Sequence, residues 1–284
     1  MNRATQQFDA SNVSTADHAF ADFYPLRSAI FRHNLANHPL LTLPMLAKAA
    51  AEMRPAHVEC RNSAASGFDH LNTATQPVAD IIRHISDHDC WIMLRFIEQI
   101  PEYRLLLENT LASFASVVEP QTGTMHDLRA FVFISTTSVV TPFHFDPEYN
   151  VLFHIAGKKS FATFPATEPF VDSMAHERLH VNGNNLLNWD DDYRRSAVNN
   201  VLTPGDALYV PYKMPHIVTV AGGPSISISM TWKSDWSFAQ DHAHRFNAAL
   251  RQLGLPSRPV PLWPNQTPLL TLGSRLLQKI GLPR

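Results

Sequence analysis

Apolar positions recur every three to four residues through the first third of the chain, every second residue through the middle, and every three to four again at the end. The first third therefore reads as helical. Thr42 and Pro44 precede Met45, Leu46 and Ala49 to Ala51, a start signal followed by strong helix formers. Pro77 opens a second candidate with Val78, Ile81, Ile82 and Ile85 at helical spacing, and Trp91 to Phe96 is short and apolar enough for a buried strand. Pro101 opens the clearest helix, a stripe of Tyr103, Leu106, Leu107, Thr110, Leu111, Phe114 and Val118 that should end before Pro120.

From about Leu128 the period drops to two. Strands are expected at Phe131 to Thr136, Thr141 to Phe145, Val151 to Ile155, Ser160 to Phe164, Ala207 to Val210, Ile217 to Val220 and Ser225 to Trp232. Ala156-Gly157, Pro204-Gly205-Asp206 and Gly222-Gly223 supply turns between them. So many short strands with tight turns predict an antiparallel sandwich or barrel. Between Pro165 and Asn200 the pattern predicts a long polar loop, broken by Asn182 to Asn185 and Asp190 to Asp192. Helical spacing returns at Ser237 and runs to about Leu253. A Pro-rich link, Pro256 to Pro268, then leads to a last helix, Leu269 to Ile280. The expected organisation is a loose lead over 1–20, a barrel domain with N-terminal helices over 21–236, and a helical tail over 237–284.

Composition narrows the function classes. With 23 basic and 25 acidic residues among 284, the net charge is −2, which offers no basic footprint for nucleic acid. No run approaches the length of a membrane span, and Met1 to Phe20 lacks the apolar core of a signal peptide. Cys60 and Cys90 are too few for a disulfide framework and are not spaced for zinc. A cytoplasmic protein is the expectation. The 15 histidines direct attention to metal.

His144 and Asp146 form a His-x-Asp pair, and about one such pair arises by chance in this composition. Context gives it weight. In a strand, i and i+2 point the same way, so both side chains would face one barrel interior. His216 follows the turn-and-strand signal Pro204 to Pro211 and would add a third ligand. Two histidines and a carboxylate suit non-haem Fe(II) with positions left open. A rival pattern is His176-Glu177-Arg178-Leu179-His180, the zinc-peptidase spacing, which requires a helix. Asn182-Gly183 leaves such a helix little room and Leu186 stands where a third histidine belongs, so this stretch is expected within the polar loop. There is no Gly-x-Ser-x-Gly elbow and no Gly-x-Gly-x-x-Gly, and Gly157-Lys158-Lys159-Ser160 lacks the preceding glycine of a phosphate loop.

The stretch Thr141 to Lys159, with Gly205-Asp206 through His216 and on to Trp232, resembles the JmjC (cupin-like) Fe(II)/2-oxoglutarate oxygenases. It is most similar to the branch of the asparaginyl hydroxylase factor inhibiting HIF. The resemblance runs from Ala130 to Trp232 and leaves the long loop between unmatched. It implies a double-stranded β-helix with an N-terminal helical cover. It implies Fe(II) on His144, Asp146 and His216, with 2-oxoglutarate and O2 in the remaining positions. The co-substrate would be held by Lys159, with a hydroxyl from Thr141 and an amide from Asn150. It further implies a hydroxylase releasing succinate and CO2, acting on a protein or peptide side chain or on a small metabolite, and a homodimer through the C-terminal helices. The alternatives are a cupin-fold binding protein without turnover and, more remotely, the zinc peptidase.

Overall fold

The computed structural model describes residues 20–62, 76–136, 139–220 and 223–279. The lead expected over 1–20 (Phe20 apart), Gly222 and Ile280 lie outside them. In chain order the elements are β1 (Ala29–Arg32), α1 (Leu43–Glu52), β2 (Val58–Asn62), α2 (Val78–Arg83), β3 (Cys90–Arg95), α3 (Pro101–Ala112), α4 (Ala115–Thr122), β4 (Met125–Ser135), β5 (Tyr149–Ala156), β6 (Lys159–Thr163), α5 (Ser173–Asn182), β7 (Val198–Leu202), β8 (Asp206–Val210), β9 (His216–Val220), β10 (Ser225–Ser234), α6 (Asp235–Gln252) and α7 (Pro268–Lys279).

A seven-stranded sheet runs β1-β8-β5-β10-β4-β3-β2 and a three-stranded sheet β7-β6-β9, with every pairing antiparallel. The alternation in β10 shows how the large sheet serves two compartments. Ile226, Ile228, Met230 and Trp232 point into the main core beneath the N-terminal helices. Ser229 and Thr231 line the cavity on the opposite face, and Ser227 bonds to a barrel side chain there. β5 divides likewise: Tyr149, Val151, Phe153 and Ile155 enter that core, while Leu152 meets Phe161 and Val210 between the sheets. The turn into β6 requires Gly157. Its φ is +77°, and a Cβ there would come within 2.3 Å of Pro224 O.

Four expectations are corrected. The first third is not helical throughout, for besides its helices it supplies β1 and β2, the two edge strands of the large sheet. The Pro101 helix is two helices, because the chain turns at Ser113 and Phe114 to bury the Phe114 ring; Pro120 then falls inside α4, forfeiting one backbone bond. Thr141 to Phe145 is not a strand. It makes single bridges only, since Pro142 cannot donate and Phe143 O accepts from Leu187 instead. The stretch Pro165 to Asn200 is not a featureless loop, for it contains α5 and the start of β7. Asp172 caps α5 by accepting from Ala175 N, and Gly183 ends it at φ +76°. Its buried face includes Glu177 and His180, so no apolar period announced it.

Candidate metal centre

The chain brings His144, Asp146 and His216 together although 72 positions separate the two histidines. His144 and His216 face each other across a closed backbone pair, His144 N to His216 O at 3.2 Å and His216 N to His144 O at 2.8 Å. Their ring centroids are 4.1 Å apart. One ligand atom from each of the three residues lies within 4.8 Å of the others, and no other such group occurs among the described residues. His144 Nδ1 lies 2.7 Å from Pro142 O, and His216 Nδ1 lies 2.9 Å from Met214 O. A carbonyl only accepts, so both Nδ1 atoms carry the proton and both Nε2 lone pairs are free for a cation. Burial, then the neighbouring His144, push the His216 imidazole down to about 4, which keeps it neutral. Asp146 Oδ1 accepts from Asn185 Nδ2 at 3.1 Å, while its Oδ2 sits 3.6 Å from His216 Nε2 and 4.0 Å from His144 Nε2.

A small chamber of about 90 Å³ runs inward from the triad to Lys159. Lys159 is 3% exposed, and its Nζ donates to Ser227 Oγ. No carboxylate pairs with it among the described residues, and burial pushes its amine down to about 7. Lys158, in the turn just before β6, is exposed. Thr141 lines the same chamber. Its Oγ1 accepts from Val218 N at 2.9 Å, so the hydroxyl proton stays available. Asn150 is buried there with Oδ1 unpartnered. A buried cation with no carboxylate partner among the described residues is the deficit that a bound dicarboxylic acid would fill, while Asn150 Oδ1, an acceptor, calls for a donor such as a water.

Outward from the triad the chamber opens into a groove of about 700 Å³ over the inner faces of β2, β3, β4 and β10. Trp91, Phe96, Phe131 and Phe133 floor it. Glu148 stands at its mouth, its carboxyl pushed up to about 7 by burial and then by the Asp146 charge. Asn185 and Glu148 were not foreseen. Asn185 sits in a run that reads as a helix breaker, and nothing in the sequence marks it as the partner of Asp146. The barrel-facing serines, by contrast, are visible as every second residue of Ser225 to Ser229.

The zinc-peptidase spacing does lie on a helix, contrary to expectation, but its groups are committed elsewhere. Glu177 is in a two-point ion pair with Arg251, at 2.9 and 3.1 Å, and His180 Nδ1 is 2.8 Å from Asp241 Oδ1.

No family model matches the chain. Over 182 residues it is 24% identical to the lysine-specific demethylase JMJ30 of Arabidopsis thaliana, a match covering 62% of this chain and 36% of that protein. The chain thus spans about a third of the length of this curated relative. Among solved structures, YcfD of E. coli superposes with a TM-score of 0.52 at 16% identity, over 93% of this chain and 67% of the other. A second YcfD structure, described as a ribosomal oxygenase in complex with cobalt and 2-oxoglutarate, gives 0.49 at 15% identity over 93% and 66%. The fold is the JmjC-type (cupin) jelly roll, the architecture of the Fe(II)/2-oxoglutarate oxygenases. Its barrel carries the His-Asp-His triad at the mouth.

Proposed function

We propose that this chain is an Fe(II)- and 2-oxoglutarate-dependent oxygenase that hydroxylates a side chain of a protein or peptide. The observation that carries the reading is the narrow chamber joining the triad to a buried lysine that has no carboxylate partner among the described residues. His144, Asp146 and His216 would hold the iron through three ligands, leaving positions for the co-substrate and O2. Bound there, the metal and 2-oxoglutarate supply oxidative decarboxylation to succinate and CO2, with transfer of one oxygen atom to a C–H bond. The chain's own work is positioning. Lys159 and Thr141 would take the distal carboxylate, Asn150 would donate to the co-substrate or a water beside it, and Asn185 would fix the Asp146 carboxylate.

The width of the groove and the lysine-specific demethylase among the relatives support a macromolecular substrate. The nearer placement beside factor inhibiting HIF rests on the resemblance of Thr141 to Lys159 and Gly205 to Trp232. To test the substrate class, Fe(II)-loaded protein is incubated with 2-oxoglutarate and cell lysate split into macromolecular and small-molecule fractions. The expected product is a protein or peptide heavier by one oxygen atom. A product confined to the small-molecule fraction would remove the protein-substrate reading. Absence of Fe(II)-dependent succinate in any fraction would favour a binding protein without turnover.

The tail is proposed to dimerise. Leu253, Leu269 and Leu272 are 60%, 73% and 56% exposed, whereas Phe246 is used up against Gly273 of α7. Sedimentation at micromolar concentration should give a dimer, and charged residues at Leu269 and Leu272 should split it. A wild-type monomer at that concentration rules the dimer out. No helix among the described residues is long and apolar enough to cross a membrane.

A further inference from the structure

Behind the loops that carry the metal ligands lies a buried polar seam between α5 and α6. The His180 and His244 rings stack at 5.0 Å with 8° between their planes, and His176 approaches His244 at 5.1 Å. His176 also packs edge-on, at 5.4 Å, against Phe145, the residue between the two ligands His144 and Asp146. Asp241 closes the far side, joining His180 and Arg245. Into this seam reaches Lys213, which is 5% exposed. Its Nζ donates to His244 Nε2 at 2.9 Å. Burial, and then the charge of Lys213, keep the His244 imidazole far below its ordinary value and hence neutral, the form that can accept.

The backbone of Lys213 does something else. It sits at φ +59° in the turn between β8 and β9, three residues before His216, and its N–H donates to Asp146 O at 3.0 Å. Left-handed backbone favours glycine. A lysine there implies that the side chain is needed. We propose that Lys213 is a positioning residue for the metal centre: its side-chain amine, anchored on His244 of α6, locks the turn leading to His216 against the loop bearing Asp146. The inference rests on the metal reading of the triad. It also gives the zinc-peptidase-like helix a purpose, since His176 and His180 build the wall on which the anchor sits.

The test is a titration of metal-free protein with Co(II) alone, followed by the visible absorption of the bound ion, with thermal melts to confirm folding. Lys213→Gly keeps the turn and removes the anchor. His244→Leu removes the acceptor without touching either ligand loop, and His244→Gln restores an acceptor there. Lys213→Gly and His244→Leu should bind Co(II) about tenfold or more weakly with altered absorption bands, the range seen for outer-shell partners. His244→Gln should keep the wild-type spectrum. Wild-type affinity and spectrum in Lys213→Gly would overturn the proposal, and that variant decides the matter if His244→Leu does not fold. If the wild type binds Co(II) no better than Asp146→Ala, the metal reading itself fails and this inference falls with it.

Discussion

Replacing Asp146 by Ala should abolish both metal retention and 2-oxoglutarate turnover while leaving a folded protein. The carboxylate is the only anionic member of the triad and stands within 3.6–4.0 Å of both free imidazole nitrogens. Two histidines would then face a divalent cation with no carboxylate to offset its charge. The loss in affinity should exceed the roughly 10- to 100-fold that removal of an outer-shell partner costs. Metal content by mass spectrometry and succinate release measure it. The comparison variant is Glu177→Gln, which removes the base a zinc peptidase would need. That change breaks the ion pair between the buried Glu177 and the exposed Arg251, so it should lower the melting temperature yet leave metal content unchanged. Retained iron in Asp146→Ala, or lost iron in Glu177→Gln, would relocate the centre.

The second large effect concerns Lys159. Lys159→Met keeps the apolar stem and removes the charge, so the apparent KM for 2-oxoglutarate should rise about 10- to 100-fold, the value of a charge-assisted pair. The pH profile adds a sharper signature. In the free protein burial holds the amine at about 7, while a bound carboxylate favours the ammonium. Below pH 7 the amine is already charged and affinity is at its plateau. Above it, binding must draw a proton from solution, and KM should climb by up to roughly tenfold per pH unit. In Lys159→Met that climb should vanish. An unchanged KM in the variant would transfer the role to another groove cation such as Arg95 or Arg129.

The triad was legible because its elements obey short-range rules. His144 and Asp146 are two apart in extended chain, and Pro204 to Pro211 announces the turn and strand ahead of His216. Strand alternation separated Lys159 from Lys158, although Lys158 lies in the turn just before β6. Two of the failures depended on polar burial. α5 hides Glu177 and His180 against partners on α6, some 60 to 75 positions away, and a window scanning for apolar period sees only polarity. Asn185 escaped for the same reason, since its meaning comes from Asp146 in space. Pro142 misled in the opposite direction: the alternation around it is that of a strand, but a missing N–H cuts the ladder.

The two-sided alternation of β10 has a consequence for how this chain can vary. Its even-numbered residues from Ile226 to Trp232 answer to folding, and its odd-numbered residues Ser227, Ser229 and Thr231 answer to chemistry. Substitutions along one strand therefore divide into two nearly independent sets, and the lining of the cavity can change through serine positions that the apolar core does not share. Insertions and deletions have no such freedom. One residue gained or lost would send isoleucines into the chamber and serines into the core, because strand periodicity exchanges the faces. Within β10, tolerance of replacement and intolerance of length change have the same origin.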